Sequence, residues 1–530
     1  MKPAKERNIL LAKHTRCRLL TCRSRRLLLA AVTALVGVTS SFAAEPAAEA
    51  VVTVDPSKVL GPIKPMNAVC NGPSVKKPGG DQKRGNFDDY RAARIPYART
   101  HDSINCVSGG AHTCDISAIF PDFEADETDP KNYDFVFTDY YLDNIRRAGT
   151  EVFFRLGQTI EHGPKKYGVL PPKDYAKWAR VCEHVIRHYN EGWGWGLDDA
   201  PTTRNIVWSN QFNIVYWEIW NEADLDPTDG EVVRNPRNWG GTVTNFFEFY
   251  ETAAKHLKGK FPNLKIGGPS QAGNNPWSHR FLSWCRDRKV PLDFFSWHCY
   301  ARTPVHIAER AAWIRNLLDG YGFEKSESIL NEYNYVKGWT DDWVYSLRVM
   351  SGDLNLKGAA FVASAMVKCQ CQPLDMLMHY DARAGSAMNV MFDRVTMWPR
   401  KGYYPFYLWS KLADYGIQVP CVIEEGTGVD SNANTGNVER KDVSAVGQFT
   451  AVAAKGVDGS GAVMVVRYSD DDDVSDVAKV TVKVKGSSLS KVRCLLTDMA
   501  RTCTEVPLSV RSDGSVVVKM HPYSFVFLEY

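Results

Sequence analysis

The stretch Ile214-Val215-Tyr216-Trp217-Glu218-Ile219-Trp220-Asn221-Glu222 reads as a buried strand that ends on a charge. Its β-branched and aromatic residues suit a pleated surface buried on both faces, and its length suits a strand better than a helix. Runs of the same kind recur on either side of it: Tyr97–His101, Glu151–Leu156, Leu264–Gly268, Leu292–His298, Ser328–Glu332 and Met376–Tyr380. An earlier run near Met66–Cys70 makes eight. Helical patterns lie between them. The clearest follows Pro171-Pro172, where Tyr175, Trp178, Ala179, Cys182, Val185, Ile186 and Tyr189 recur at helical spacing as one buried stripe. His306–Leu318 and Trp343–Met366 also read as helical. Strands alternating with helices predict parallel βα units, and this set predicts a (β/α)8 TIM barrel over residues 87–415. A doubly wound open sheet is the alternative, but it calls for a Gly-rich phosphate turn after the first strand, and the sequence has none.

Beyond Tyr415 the texture changes. Phe449–Ala453, Ala462–Tyr468, Ala478–Val484, Val492–Thr497, Ser515–Met520 and Ser524–Glu529 are short strands parted by Gly, Asp and Ser. They predict an accessory antiparallel β-sandwich over residues 416–530. Residues 44–86 are interrupted by Pro and Gly, carry one strand-like run, and are expected to pack partly on the sandwich. The acidic run Asp470–Asp473 reads as a solvated turn, since its spacing is not that of a helix-flanked calcium loop.

Over 530 residues, 44% hydrophobic and 24% charged, the composition excludes collagen-like, disordered and multi-span membrane classes. Residues 1–43 run from a basic stretch ending at Arg25-Arg26, through an apolar run Leu27–Val38, to Ser41-Phe42-Ala43. That order is expected of a secretory signal peptide cleaved after Ala43, giving a secreted or periplasmic protein with no stable membrane insertion; an uncleaved anchor is the alternative. The segment holds nine of the 64 Lys and Arg and one of the 61 Asp and Glu, which leaves 55 basic against 60 acidic residues. A slightly acidic remainder gives no electrostatic reason to expect a nucleic-acid partner. Nothing in the sequence specifies an oligomeric state. The eleven cysteines after the leader are an odd number. Cys106 with Cys114, and Cys494 with Cys503, are spaced to close short loops, whereas Cys182 falls in the helical stripe as a core residue.

In a parallel barrel the strand C-termini form the mouth of the site. Glu218 and Glu222 share strand parity but stand roughly 13 Å apart along an extended chain, so only Glu222 reaches the rim. Ile329-Leu330-Asn331-Glu332-Tyr333 ends a second apolar run on a carboxylate. Counting strands, Glu222 ends the fourth and Glu332 the seventh, across the mouth from each other. A carboxylic acid that protonates a leaving oxygen, opposite a carboxylate that attacks the anomeric carbon or activates water, is what glycoside hydrolysis requires. Ser296-Trp297-His298-Cys299-Tyr300 places His298 and Tyr300 on one face, within reach of a sugar or a nucleophile. Arg99 can orient a carboxylate, with His101 beside it; Asp102 also reads as an ordinary helix cap. Asp381 ends the last strand and is expected to meet sugar hydroxyls, and Trp339 and Trp398 are the loop aromatics expected to offer flat faces to a sugar. No His-Glu-x-x-His, Cys-x-x-Cys pair, His-x-His strand end or Gly-x-Ser-x-Gly elbow occurs, so neither a metal, another cofactor nor a serine nucleophile is expected. A carbohydrate-binding barrel that has lost activity is a further reading; its mark would be a missing acid, and both acids are present.

Trp217–Glu222, His298-x-Tyr300 and Leu330–Glu332 resemble the signature of clan A (β/α)8 glycoside hydrolases. Within that clan the sequence is most similar to glycoside hydrolase family 39, which contains β-xylosidases and α-L-iduronidases. Arg99–Asp102, Asp174–Tyr189, Met378–Arg383, Met391-Phe392-Asp393 and Tyr403–Leu412 extend the likeness over roughly residues 60–530. The resemblance implies a retaining double displacement with Glu222 as acid/base and Glu332 as nucleophile. It also implies that Asn221 holds the hydroxyl beside the anomeric carbon, that His298 and Tyr300 surround the nucleophile, and that the substrate is an exo-cleaved plant or algal oligosaccharide or glycoside. Ala223 stands where clan members often have Pro, and Asn331 where Thr is common.

Overall fold

The computed structural model describes residues 49–74, 84–101, 112–195, 212–226, 235–339, 355–384, 386–425 and 448–530. Eight parallel strands close a barrel: β1 (Ala68–Cys70), β2 (Tyr97–Arg99), β3 (Glu151–Leu156), β4 (Tyr216–Ile219), β5 (Lys265–Gln271), β6 (Phe294–Ala301), β7 (Glu327–Tyr335) and β8 (Met376–His379). Each pairs with the next, and β8 pairs back onto β1. The strand near Met66–Cys70 therefore belongs to the barrel, although it lies within the 44–86 segment. The leader, Asp102, Cys106 and the start of the helix expected from Trp343 lie outside the described residues.

The helices form where the sequence caps them. Tyr175–Glu191 starts on Asp174, whose carboxylate accepts from the Lys177 amide, and stops at Gly192 in the left-handed region. Pro304–Gly320 starts on Thr303, with Pro304 in the first turn. The buried residues Trp178, Ala179, Cys182, Val185, Ile186 and Tyr189 form the predicted stripe. The barrel lumen has an apolar floor of Ala68, Cys70, Phe153, Phe294, Ile329, Met376 and Met378. The next inward positions on these and neighbouring strands are polar, among them Arg99, Glu218, His298 and Asn331, and all four are buried.

Two sheets make the second body. Cys421–Glu425, Glu49–Val54, Ala478–Val484 and Val516–Met520 form a four-stranded sheet; Thr504–Glu505, Arg493–Thr497, Ser524–Glu529, Gly461–Arg467, Phe449–Lys455, Ile417–Val419 and Gly61–Pro62 form a seven-stranded one. Pairing is antiparallel except where Glu49–Val54 runs parallel to Ala478–Val484, so the N-terminal run is built into this body. Cys494 and Cys503 carry free thiols, contrary to the expected short-loop pairing. They face opposite ways: Cys494 lies in the core between the two sheets, and Cys503 packs on the cluster shared with the barrel.

The Asp470–Asp473 turn is solvated as expected at Asp471, Asp472 and Asp473, and departs from that only at Asp470. Asp470 is buried against the barrel, where it accepts from Tyr335 Oη at 2.8 Å and pairs with Arg302. Lys357 donates to the Asp470 carbonyl at 2.9 Å and to Asp472 at 2.6 Å, and Lys337 donates to Asp472 at 2.8 Å. The acidic run therefore ties the sandwich to the ends of β6 and β7.

Candidate active site

Two backbone irregularities set the site. Strand alternation from the inward Ile329 puts Asn331 in the lumen and Glu332 outside. A bulge at Asn331 changes this: Leu330 pairs with Trp297 while Glu332 pairs with His298, the very next residue. Both Asn331 and Glu332 then face the lumen, and beyond the bulge Tyr333 lies in the outer core. At the end of β4, Trp220 (φ 73°) and Glu222 (φ 51°) take the left-handed region, which costs free energy and breaks the pleat. Trp220 packs outward on Trp239 and Phe249, and the Glu222 amide donates to the Ser270 carbonyl at 2.9 Å. Strand parity alone does not place Glu222; these two left-handed residues do.

One oxygen of Glu222, one ring nitrogen of His298 and one oxygen of Glu332 all lie within 4.8 Å of one another. His298 Nδ1 stands 2.8 Å from Glu222 Oε1. Glu332 is the more enclosed acid, its side chain 4% exposed against 15% for Glu222. Arg99 Nη1 donates to Glu332 Oε1 at 2.7 Å, and Tyr300 Oη donates to Oε2 at 2.7 Å. His101 Nε2 lies 3.2 Å from Oε1. Burial pushes the Glu332 carboxyl up from its ordinary range, while His298 and Arg99 pull it down and Glu222 adds to the rise. Burial, with Glu332 beside it, also raises the Tyr300 phenol well above its ordinary value, so it remains a donor.

Arg99 is fully buried beneath this pair. Besides Glu332 it donates through Nε to Glu218 at 2.7 Å and through Nη2 to Asn221 Oδ1 and Ser270 Oγ, each at 2.7 Å. Desolvation opposes its charge, but Glu218 and Glu332 overcome that and hold its pKa above the ordinary value. Glu218 in turn accepts from Asn331 Nδ2 at 2.6 Å. Arg99 thus orients carboxylates, as expected, and has no surface with which to touch a substrate.

Asp381 departs from its expected role. It is fully buried; its Oδ1 accepts from Asn71 Nδ2 at 2.9 Å and from the Arg383 amide at 2.8 Å, and its Oδ2 forms an ion pair with Arg383 Nη2 at 3.0 Å. A carboxylate with no exposed surface holds the end of β8 in place and does not meet sugar hydroxyls in this arrangement. Trp339 is 65% exposed and stands edge-on to Tyr300 at 5.4 Å, next to the acid pair. Trp398 is also exposed, with the Arg84 guanidinium stacked on it at 4.3 Å.

Ser270 and Asn331 belong to the site; Asn331 stood in the sequence only as part of the Leu330–Glu332 stretch, and Ser270 carried no signal at all. Ser270 lies two residues past the expected end of its strand, at Gly268, and a lone serine is not a motif. Glu222, His298 and Glu332 are also a donor set of the kind that holds a divalent cation. With or without a cation, two carboxylates at this spacing on a barrel rim can flank a glycosidic bond.

A closed parallel barrel with paired glutamates at the ends of its fourth and seventh strands defines a glycoside-hydrolase-like barrel. Residues 50–369 match the model described as Glycosyl hydrolases family 39, and the chain belongs to that family. It is 26% identical over 240 residues to a β-xylosidase of Geobacillus stearothermophilus, covering 44% of this chain and 42% of that protein. It is 26% identical over 177 residues to a β-xylosidase of Caldicellulosiruptor saccharolyticus, covering 32% and 31%. The chain thus spans less than half the length of either relative. Among solved structures, a glucosidase from Croceicoccus marinus superposes with TM-score 0.65 at 21% identity, covering 91% of this chain and 98% of that one. A β-xylosidase from Caulobacter crescentus superposes at 0.59 and 15%, covering 90% and 99%. These two are likenesses of fold.

Proposed function

We propose that the protein is a secreted, retaining β-glycosidase of β-xylosidase type that removes sugars from the ends of plant or algal oligosaccharides. The observation that carries this reading is the approach of a Glu222 oxygen and a Glu332 oxygen to within 4.8 Å across the barrel mouth. Retention needs carboxyl groups about 5–5.5 Å apart, whereas inversion needs roughly 6.5–9.5 Å to admit a water. The more open Glu222 protonates the leaving oxygen, and the enclosed Glu332, held by Arg99 and Tyr300, attacks the anomeric carbon. A glycosyl ester on Glu332 forms as the C–O bond breaks, and water activated by Glu222 then releases the sugar. The β-xylosidase relatives support the choice of sugar, and the basic, apolar and small-residue order of residues 1–43 supports export.

Aryl xylosides, glucosides, galactosides, arabinosides and uronides, assayed with wild type, Glu332→Ala and Glu222→Ala, test the reading. Glu332→Ala loses turnover on every substrate. Glu222→Ala keeps turnover only on substrates with very good leaving groups, and azide rescues it to give a glycosyl azide of retained configuration. Equal loss on activated and unactivated substrates refutes the acid/base role, and an inverted azide product refutes retention.

A further inference from the structure

Ser270 stands where four hydrogen-bonding groups converge. Its Oγ lies 2.6 Å from His298 Nε2, 2.7 Å from Arg99 Nη2, 3.2 Å from Asn221 Oδ1 and 3.3 Å from Asn331 Nδ2. A hydroxyl offers one proton and two lone pairs. The Arg99 and Asn331 nitrogens can only donate, so they take the lone pairs. Two acceptors compete for the hydroxyl proton, and Asn221 Oδ1, which also accepts from Arg99 Nη2 at 2.7 Å, is the more distant at 3.2 Å. That proton therefore points along the shortest contact, to His298 Nε2, which becomes an acceptor. The charged and titratable groups facing the imidazole are Glu222 and Asp224 after β4, Glu218 within β4, Arg99 on β2 and Glu332 on β7. Glu332 Oε1, at 3.4 Å from Nε2, is much farther than the serine. With both lone pairs of Ser270 Oγ taken by the Arg99 and Asn331 donors, a hydrogen on Nε2 would have no acceptor at the serine, so Nε2 is bare and His298 carries a single proton. With Nε2 accepting, that proton is on Nδ1, facing Glu222 Oε1 at 2.8 Å.

We propose that Ser270 is a positioning residue: it fixes His298 as the Nδ1–H tautomer, so that the imidazole donates to Oε1 of Glu222 and the transferable acid proton rides on Oε2. This rests on the acid/base role given to Glu222 above. In the first step the Oε2–H bond breaks, the proton goes to the leaving oxygen, the glycosidic C–O bond gives its electrons to that oxygen, and Glu332 bonds to the anomeric carbon. In the second step Oε2 takes a proton from water as the water oxygen bonds to the anomeric carbon and the Glu332 ester opens. His298 keeps its proton throughout and acts as a fixed donor that favours the carboxylate produced in the first step.

Ser270→Ala releases the tautomer. An Nε2–H imidazole then turns an acceptor toward Glu222, which favours the protonated acid and hinders its return as a base. The expected result is a basic limb of the kcat/KM profile moved up by about half to one pH unit, with kcat lowered about tenfold. Nitrogen-15 NMR gives the second readout, with the His298 signals assigned by their loss in His298→Gln. In wild type Nδ1 is protonated and Nε2 is not, and in Ser270→Ala this pattern reverses or becomes mixed. Ser270→Cys, which keeps the volume and weakens the donor, serves if the alanine variant fails to fold. A protonated Nε2 in wild type overturns the proposal, as does an unchanged tautomer with an unmoved basic limb. If Glu222→Ala meanwhile shows the leaving-group dependence and azide rescue, the tautomer assignment has failed alone; if it does not, the acid/base reading has failed first.

Discussion

Replacing Arg99 by Met removes the one guanidinium that faces both Glu218 and Glu332 at 2.7 Å. All three side chains are essentially sealed from solvent, at 0%, 0% and 4% exposure, so water does not screen the loss. Breaking a buried ion pair by deleting one partner costs about 3–5 kcal/mol, because the charge left behind stays buried. With an entropy of unfolding of about 2.1 cal/mol/K per residue over a body of this size, each kcal/mol moves the melting midpoint by about 1 °C, so a fall of about 3–5 °C is expected at pH 7. The loss depends on pH, and its sign is fixed. Burial already raises Glu332, and Arg99 opposes that rise. Without Arg99 the folded-state pKa climbs further, so the glutamate's contribution to stability is fully present below its unfolded value of about 4.5 and is lost as pH rises through the new one. The difference in midpoint between wild type and Arg99→Met therefore narrows toward pH 4.5 and widens toward pH 8. With Glu332 as the proposed nucleophile, the acid limb of activity moves upward in the variant. Differential scanning calorimetry from pH 4.5 to 8 measures the first effect, and a pH–rate profile the second. A fall below 1 °C, or one that does not change with pH, would refute the claim that this guanidinium offsets buried carboxylate charge.

Other outcomes follow from the same physics. His379 is fully buried with neither ring nitrogen bonded, and burial holds its pKa near 3. The unfolded chain binds the proton first, so this residue costs about 1.4 kcal/mol for each pH unit between roughly 6.5 and 3; His379→Leu should flatten the acid side of the stability curve, and an unchanged acid midpoint would count against it. Asp470→Asn unpairs Arg302 and weakens the tie to Lys357 and Tyr335, at the ends of the strands that carry Tyr300 and Glu332. A rise in KM larger than the fall in kcat is expected, along with a melting loss of a few degrees, and kinetics identical to wild type would show that the sandwich turn does not set the rim. EDTA should leave turnover unchanged, whereas added Cu2+ should inhibit by bridging Glu222, His298 and Glu332; protection by substrate would place the ion there, and inactivation by EDTA would overturn the metal-free mechanism. Because Cys494 and Cys503 are free thiols, reductant should leave the melting of the sandwich unchanged.

How far the sequence carried depended on which interactions are local. Apolar runs such as Glu151–Leu156 gave the strand to the residue, since burial on both faces writes itself into composition. The capped stripe from Asp174 to Tyr189 gave its helix too, which runs from Tyr175 two residues further, to Glu191. Strand counting alone put Glu222 and Glu332 at the ends of the fourth and seventh strands, since closure of eight parallel strands leaves little other freedom. The family signature added roles for His298 and Tyr300 that no periodicity holds.

Tertiary structure decided the rest. A one-residue bulge leaves no mark in composition, yet it turns Glu332 from the outer face to the lumen beside Asn331. Two left-handed residues, neither of them glycine, aim Glu222 where pleat alternation would not. Asp381 and Asp470 look solvent-seeking in sequence, and both are buried because their partners, Asn71, Arg302 and Lys357, come from distant parts of the chain. Ser270 gains its place only because four polar groups from separate strands meet at one oxygen. Local pattern writes elements and their order; hydrogen-bond partners across a lumen are settled by closure, which one-dimensional spacing does not encode.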